Sequence, residues 1–342
     1  MRKILTLASS VALALAASAC GGDEPADSAG DVAGVPKVVV TTNILGDVVV
    51  ATFGDLIDVE VIMPAGADPH EFAASAKQAT AMEGADLLIV NGAGFEAGLD
   101  GVIDSVIDGG TPSFSFADHV ELLEGEDHDD EDHDEDHDDE DHEGETEAEH
   151  AAHADHGADD PHLWTDPLRI ADAVTALSSV IGELPGVDPA VAANRAAAYV
   201  AQLTDLVAEV KELLAPIPPD DRVIVTNHEV FGYFADRFDF VVAGAVVPSL
   251  TTNAESSAKA LEDLADLLRT QSVPVIFAET TQSTQLAEAL AAEVGGDVTI
   301  VELFTESLGD AGSGADTYLG LMRTDAQLIA DALLADAVSG GS

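Results

Sequence analysis

Basic residues are scarce in this chain of 342 residues: lysine and arginine number 12 against 66 acids, a formal charge of −54. That balance excludes a general nucleic-acid binder, because a phosphate backbone is held by cationic side chains. Cysteine is scarcer still. Cys20 is the only one, which excludes a disulfide framework and a thiolate zinc cluster. There is no Walker motif, and no membrane-spanning run is expected, so energy supply and translocation are not encoded here. No His-Glu-x-x-His pair is present either, which removes one signature of a zinc hydrolase.

The N-terminus has a recognisable pattern. Arg2 and Lys3 precede an apolar run, Ile4 to Ala19, too short for a comfortable membrane span. Residues 1–19 read as a signal peptide. The ending Ala17-Ser18-Ala19-Cys20, followed by Gly21-Gly22, resembles a bacterial lipoprotein cleavage box. The expectation is an exported protein, lipid-anchored at Cys20 on the outer face of the cell membrane or in the periplasm. Residues 20–36, rich in Gly, Ala and Asp, form its flexible tether.

Further on, short β-rich runs alternate with helical stretches. Strands are expected at Lys37–Thr42, Val59–Met63, Asp86–Val90 and Ser113–Phe116, then at Arg222–Thr226, Phe240–Val247, Val273–Ala278 and Val298–Phe304. Helices are expected at Ile44–Phe53, Ser75–Glu83, Phe95–Val106, Glu229–Phe238, Glu255–Gln271, Thr284–Val294 and Thr317–Val338. Alternation of this kind makes parallel sheets covered by helices. The fold class is therefore α/β, with two Rossmann-like lobes, each built on a four-stranded parallel sheet. The lobes are expected at 37–187 and 216–342. Between them, 188–215 reads as one linking helix: Asp188 caps it, Pro189 suits its first turn, and Ala196, Tyr199, Leu203, Leu206, Val210 and Leu213 recur at spacings of three and four.

The segment 124–160 differs in kind. It carries 21 of the 66 acids and no lysine or arginine, leaving 45 acids against 12 bases elsewhere. Seven histidines lie within it: His128, His133, His137, His142, His150, His153 and His156. Such a composition buries too little apolar surface to offset ordering entropy, so disorder is expected. Repeats such as Asp127-His128-Asp129 and Asp132-His133-Asp134 suit an auxiliary, low-affinity metal loop that collects ions or receives them from a partner. A solvated acidic linker is the plainer alternative.

Outside that segment and His119, three histidines remain, and each follows a strand: His70, His162 and His228. Open α/β sheets place ligands at the carboxyl ends of strands. One loop histidine usually caps or is solvated; three at equivalent positions, drawn from two lobes across a cleft, point to a metal site. Glu306 follows the last strand and completes a closed three-nitrogen, one-oxygen set suited to Zn²⁺. Asn227, Glu279 and Trp164 are candidates for orienting or shielding these ligands.

These pieces carry a resemblance. Pro64-Ala-Gly-Ala-Asp-Pro-His70-Glu-Phe, Ala85-Asp-Leu-Leu-Ile-Val-Asn-Gly92, Asp160-Pro-His162-Leu-Trp164, Thr226-Asn-His228-Glu-Val-Phe231-Gly-Tyr-Phe234 and Thr305-Glu306-Ser-Leu-Gly309 occur in order. From Lys37 to Ala337 the chain resembles the metal-specific solute-binding lipoproteins of bacterial ABC transporters, in their zinc-uptake branch. The resemblance implies ligands at His70, His162, His228 and Glu306, and a high-affinity receptor that passes Zn²⁺ to a permease driven by an ATPase. Histidine at the third position is commoner in zinc members; manganese members tend to have glutamate there. The fourth position is usually aspartate, and Glu306 departs from it by one methylene. In the zinc branch an acidic, histidine-rich loop often precedes the second ligand, where 124–160 stands. The chain is expected to be a monomeric binding protein rather than an enzyme. The alternatives are a manganese- or iron-binding homologue, a surface adhesin mediating cell adhesion, and, more distantly, a zinc hydrolase.

Overall fold

The computed structural model describes residues 34–125, 159–254, 256–295 and 298–339. The expected signal segment, Cys20, most of the tether and the seven histidines of the acidic segment lie outside the described residues.

The N-terminal lobe contains β1 (Lys37–Val40), α1 (Asn43–Phe53), β2 (Asp58–Val61), α2 (Ala76–Glu83), β3 (Leu87–Val90), α3 (Asp100–Asp108) and β4 (Ser113–Ser115). Its four strands pair in parallel in the order β2-β1-β3-β4. Two helices then cross behind the lobes, α4 (Pro167–Glu183) and α5 (Pro189–Leu214). The C-terminal lobe follows with β5 (Val223–Thr226), α6 (Gly232–Phe238), β6 (Val241–Ala245), α7 (Ala258–Gln271), β7 (Val275–Glu279), α8 (Gln285–Val294), β8 (Thr299–Leu303) and α9 (Tyr318–Ser339). Its sheet repeats the topology, β6-β5-β7-β8, again parallel. The fold is α/β, with two four-stranded parallel sheets and a long linking helix.

Strand periodicity explains the layering. In β1, Val38 and Val40 enter one core while Val39 points to the opposite layer; in β7, Val275 and Phe277 are divided from Ile276 in the same way. The outer layers are separate for each lobe, with Val39, Leu88 and Ile103 in one and Val225, Ile276 and Leu290 in the other. The inner layer is shared. One continuous core joins Val38 and Ile89 to Leu206, Phe234, Phe277 and Ile329.

The linking helix starts as its sequence directs. The Asp188 carboxylate accepts from Ala190 N–H, and Pro189 occupies the first turn, where no amide hydrogen is needed. Its 26 residues span about 39 Å. Ala192, Ala196, Tyr199, Leu203, Leu206, Val207, Val210 and Leu214 are buried; Leu214, rather than the expected Leu213, closes the stripe. The helix lies against α4, α1 and α9, so it serves both lobes.

Two helices begin later than expected, and a third was not expected. The helix expected at Phe95–Val106 begins only at Asp100, because Asn91–Leu99 forms turns around a buried carboxylate, Glu96. The helix expected at Glu229–Phe238 begins at Gly232, after the turn that carries His228. Helix α4 has no counterpart among the expected elements. Asp166 caps it through Leu168 N–H, Pro167 begins it, and Ile170, Val174, Leu177 and Ile181 line its buried face.

Candidate metal centre

His70, His162, His228 and Glu306 converge in the cleft between the lobes, all four essentially sealed from solvent. One ligand atom from each lies within 4.8 Å of the others. Glu306 Oε1 is 2.9 Å from His70 Nε2, 3.3 Å from His228 Nε2 and 3.7 Å from His162 Nε2. The Nε2 atoms of His162 and His228 are 3.2 Å apart. A tetrahedral ion with bonds of about 2.0–2.1 Å separates its ligand atoms by about 3.3 Å, so these spacings suit a small divalent cation. The extra methylene of Glu306 brings its carboxylate to the imidazoles rather than past them.

Each side chain is delivered by a loop beyond a strand. His70 lies in the connection after β2, His228 directly after β5 and Glu306 after β8. His162 comes after β4 and the acidic segment, whose ends are held side by side by a bridge between Glu124 and Asp159. Thr226 Oγ1 donates to the His228 carbonyl at 2.7 Å, and Thr165 Oγ1 to that of His162 at 3.0 Å, which fixes both turns.

Two imidazoles are aimed by carboxylates. The His162 Nδ1–H donates to Asp160 Oδ1 at 2.7 Å, and the His228 Nδ1–H to Glu279 Oε1 at 2.5 Å. Glu279 is buried at the end of β7, its second oxygen accepting from Thr305 Oγ1 at 3.0 Å. With Nδ1 protonated, Nε2 keeps its lone pair for an ion. The carboxylates of Glu306, Asp160 and Glu279 also offset a buried dication. His70 is held differently. Its Nδ1 has no partner among the described residues, its ring edge meets Phe95 at 5.0 Å, and its backbone N–H donates to Asp68 Oδ1 at 2.8 Å.

Burial alone would push the His162 and His228 rings down. Asp160 and Glu306 reverse that for His162, and Glu279 and Glu306 carry His228 well above its ordinary value. Burial would raise Glu306, but His228, His162 and His70 hold it well below the usual carboxylate range. Without an ion the cluster is thus a buried ion pair that keeps protons where a cation would sit. The second oxygen, Oε2, is buried without a partner among the described residues. That orphaned acceptor marks a place for a cation, since a buried lone carboxylate oxygen is costly.

Trp164 stands beside the cluster, 5.4 Å from the His162 ring, its Nε1 donating to the Thr305 carbonyl at 2.7 Å. Asn227 is buried next to His228, and its carbonyl accepts from Val247 N–H; its side chain makes no hydrogen bond to the four residues. Sequence reasoning passed over Asp160 and Asp68. The signal was there: Asp-Pro-His occurs twice, and in both copies the aspartate accepts from the histidine N–H two residues on, at 2.8 and 2.9 Å.

Comparison with known proteins follows the same lines. The family model described as "ZnuA: Zinc-uptake complex component A periplasmic" matches residues 38–332. The zinc-binding protein TroA of Treponema pallidum is 29% identical over 312 residues, covering 90% of this chain and 91% of that protein. The manganese-binding lipoprotein MntA of Halalkalibacterium halodurans is 25% identical over 323 residues, covering 94% and 96%. A solved structure of the periplasmic zinc-binding protein TroA from Treponema pallidum superposes with a TM-score of 0.73 at 27% identity, covering 88% of this chain and 99% of that one. Fold, buried three-histidine, one-glutamate cluster and family match agree: the chain belongs to the ZnuA family of metal solute-binding proteins of ABC transporters.

Proposed function

We propose that this metal-binding receptor of an ABC uptake system is specific for zinc: it captures Zn²⁺ outside the membrane through His70, His162, His228 and Glu306 and hands it to a permease powered by an ATPase. The observation that carries the choice of metal is His228, an imidazole backed by Glu279, at the position where a carboxylate would favour a harder ion. Three neutral nitrogens and one carboxylate suit the borderline-soft Zn²⁺ better than Mn²⁺. As a member of a solute-binding family, the protein is not an enzyme.

The division of the chain belongs to the same proposal. Residues 1–19 direct export, Cys20 carries the lipid, 20–36 tether the domain, and the histidines between 128 and 156 collect ions near the cleft. No helix among the described residues is long and apolar enough to cross a membrane, consistent with a separate permease.

A second reading, Mn²⁺ as cargo, is favoured by one feature. The Oε2 of Glu306, without a partner among the described residues, allows two-oxygen coordination, which enlarges the ligand set toward the higher coordination of a harder ion. A competition titration of the mature protein with Zn²⁺ and Mn²⁺ decides between them. One tight equivalent of Zn²⁺ that excess Mn²⁺ fails to displace supports zinc; displacement at comparable concentrations overturns it.

A further inference from the structure

Besides the hydrogen bonds from Asn43 Nδ2 and Gly66 N–H to Ser307 Oγ and from Leu308 N–H to Asn43 Oδ1, the two lobes grip each other around the cluster in two contrasting ways. On one side the segment that carries His162 is welded to the C-terminal lobe by two buried tyrosines and a part-buried arginine. Tyr233 Oη donates to the Asp160 carbonyl at 2.7 Å and Tyr318 Oη to the Trp164 carbonyl at 2.6 Å. Arg237 holds the buried Asp166 carboxylate with two donors, at 2.8 and 2.6 Å. Moving this side would expose aromatic rings and part a bidentate ion pair, both at high cost.

The other side is thinner and reaches solvent. Asp68, in the connection after β2, is half-buried, and its Oδ2 accepts from Thr252 Oγ1 at 2.7 Å and from Gln282 Nε2. Those donors lie in the loops after β6 and β7 of the opposite lobe. The remaining oxygen, Oδ1, accepts the His70 backbone N–H. Asn253 Nδ2 donates to the His70 carbonyl at 3.3 Å. Among the described residues, His70 alone of the three imidazoles has no carboxylate on Nδ1, so its placement rests on the Nε2 contact with Glu306, on the Phe95 ring and on this backbone grip.

We infer that Asp68 is a positioning residue that clamps His70 onto the ion, and that Thr252 and Gln282 of the opposite lobe set the strength of the clamp and with it the rate of metal release. One carboxylate thereby ties the placement of a ligand to the closure of the cleft. Parting the lobes on this side breaks two hydrogen bonds to that carboxylate and the bond from Asn253 to the His70 carbonyl in the same motion. The inference rests on the reading of the four residues as the metal site.

The test is the rate at which the zinc-loaded full chain releases Zn²⁺ to an excess of chelator in a stopped-flow experiment. The pair Thr252→Val and Gln282→Ala, which touches no ligand, is expected to speed release by about tenfold or more, since hydrogen bonds to a charged group are lost. Association should be unchanged, as should the melting temperature of the metal-free protein. Adding Asp68→Ala to the pair should accelerate release no further than Asp68→Ala alone, because the three act as one unit. Thr252→Ser in place of Thr252→Val should restore slower release. Release at the unaltered rate in the folded pair variant overturns the clamp. So does an equal loss of melting temperature with and without metal, which would mark a merely structural contact. If the unaltered protein takes up no single tight equivalent of Zn²⁺, the site itself fails, and that outcome is read separately from the variants.

Discussion

Replacing Glu279 with glutamine removes a charge while nearly preserving shape. The Glu279 carboxylate accepts from His228 Nδ1–H and from Thr305 Oγ1, and it is buried. A glutamine oxygen can still accept from Nδ1–H, so the ring stays aimed; what is lost is negative charge behind the imidazole. Losses of this kind cost about 10–100-fold in metal affinity, or about 1.4–2.7 kcal/mol. The pH dependence makes the prediction specific. An ion binds only neutral His228, and Glu279 and Glu306 together hold its metal-free pKa well above 6.5. Below that raised pKa, the unaltered protein loses about tenfold in affinity per pH unit to proton competition. In E279Q the pKa falls, so competition begins at a lower pH. The variant should therefore bind Zn²⁺ more weakly at pH 8, with the gap narrowing as pH is lowered toward 6. Competition titrations with a chromogenic chelator at several pH values measure this. A ratio of dissociation constants independent of pH would refute the reasoning.

Other outcomes follow from the same contacts. His228→Ala should cost more than the about 10–100-fold expected for losing an outer partner, because a ligand atom itself is gone; unchanged affinity in isothermal titration would remove His228 from the site. Deleting residues 126–156 should spare the tight equivalent and abolish several weak ones, and loss of the tight equivalent on titration would place that segment in the site. Asp325 is buried where its carboxylate accepts from Phe304 N–H, and burial raises its pKa from 3.8 to about 7. The native state then holds a proton that the unfolded chain releases between about pH 4 and pH 7. Its contribution to stability is present in full below pH 4 and lost as the pH rises through 7. Asp325→Asn keeps the acceptor without the charge, so the variant should match the unaltered protein in thermal melts at pH 4. At pH 8 it should exceed it, by at most about 4 kcal/mol; equal melting at both would show that no such proton is held.

Much of the fold could be read before any coordinates. Eight β-rich runs fell where the strands are; the central ones, β1, β3, β5 and β7, are nearly continuous apolar runs because a strand buried on both faces admits little else. The linking helix announced itself through Asp188, Pro189 and its apolar stripe. Helix α4 did not, although Asp166-Pro167 is the same cap-and-proline pair and Ile170, Val174, Leu177 and Ile181 recur at spacings of four, three and four. The start of α3 was misplaced because Glu96, which reads as a helix residue, bends instead to accept from Thr41, Asn91 and Gly92.

The sequence by itself determined the class of fold, the family, and which three imidazoles and which carboxylate stand at strand ends, because backbone alternation and strand-to-loop position are local properties. Tertiary structure decided what surrounds them. Asp160 and Asp68 stand two residues before their histidines, a local pattern; that Glu279 aims the His228 ring from 51 positions away, and that Gln282 reaches Asp68 across the cleft from 214 positions away, depends on residues meeting in space. No local pattern encodes such a meeting; it is fixed only when two sheets pack about one core and bring their loops to a common edge.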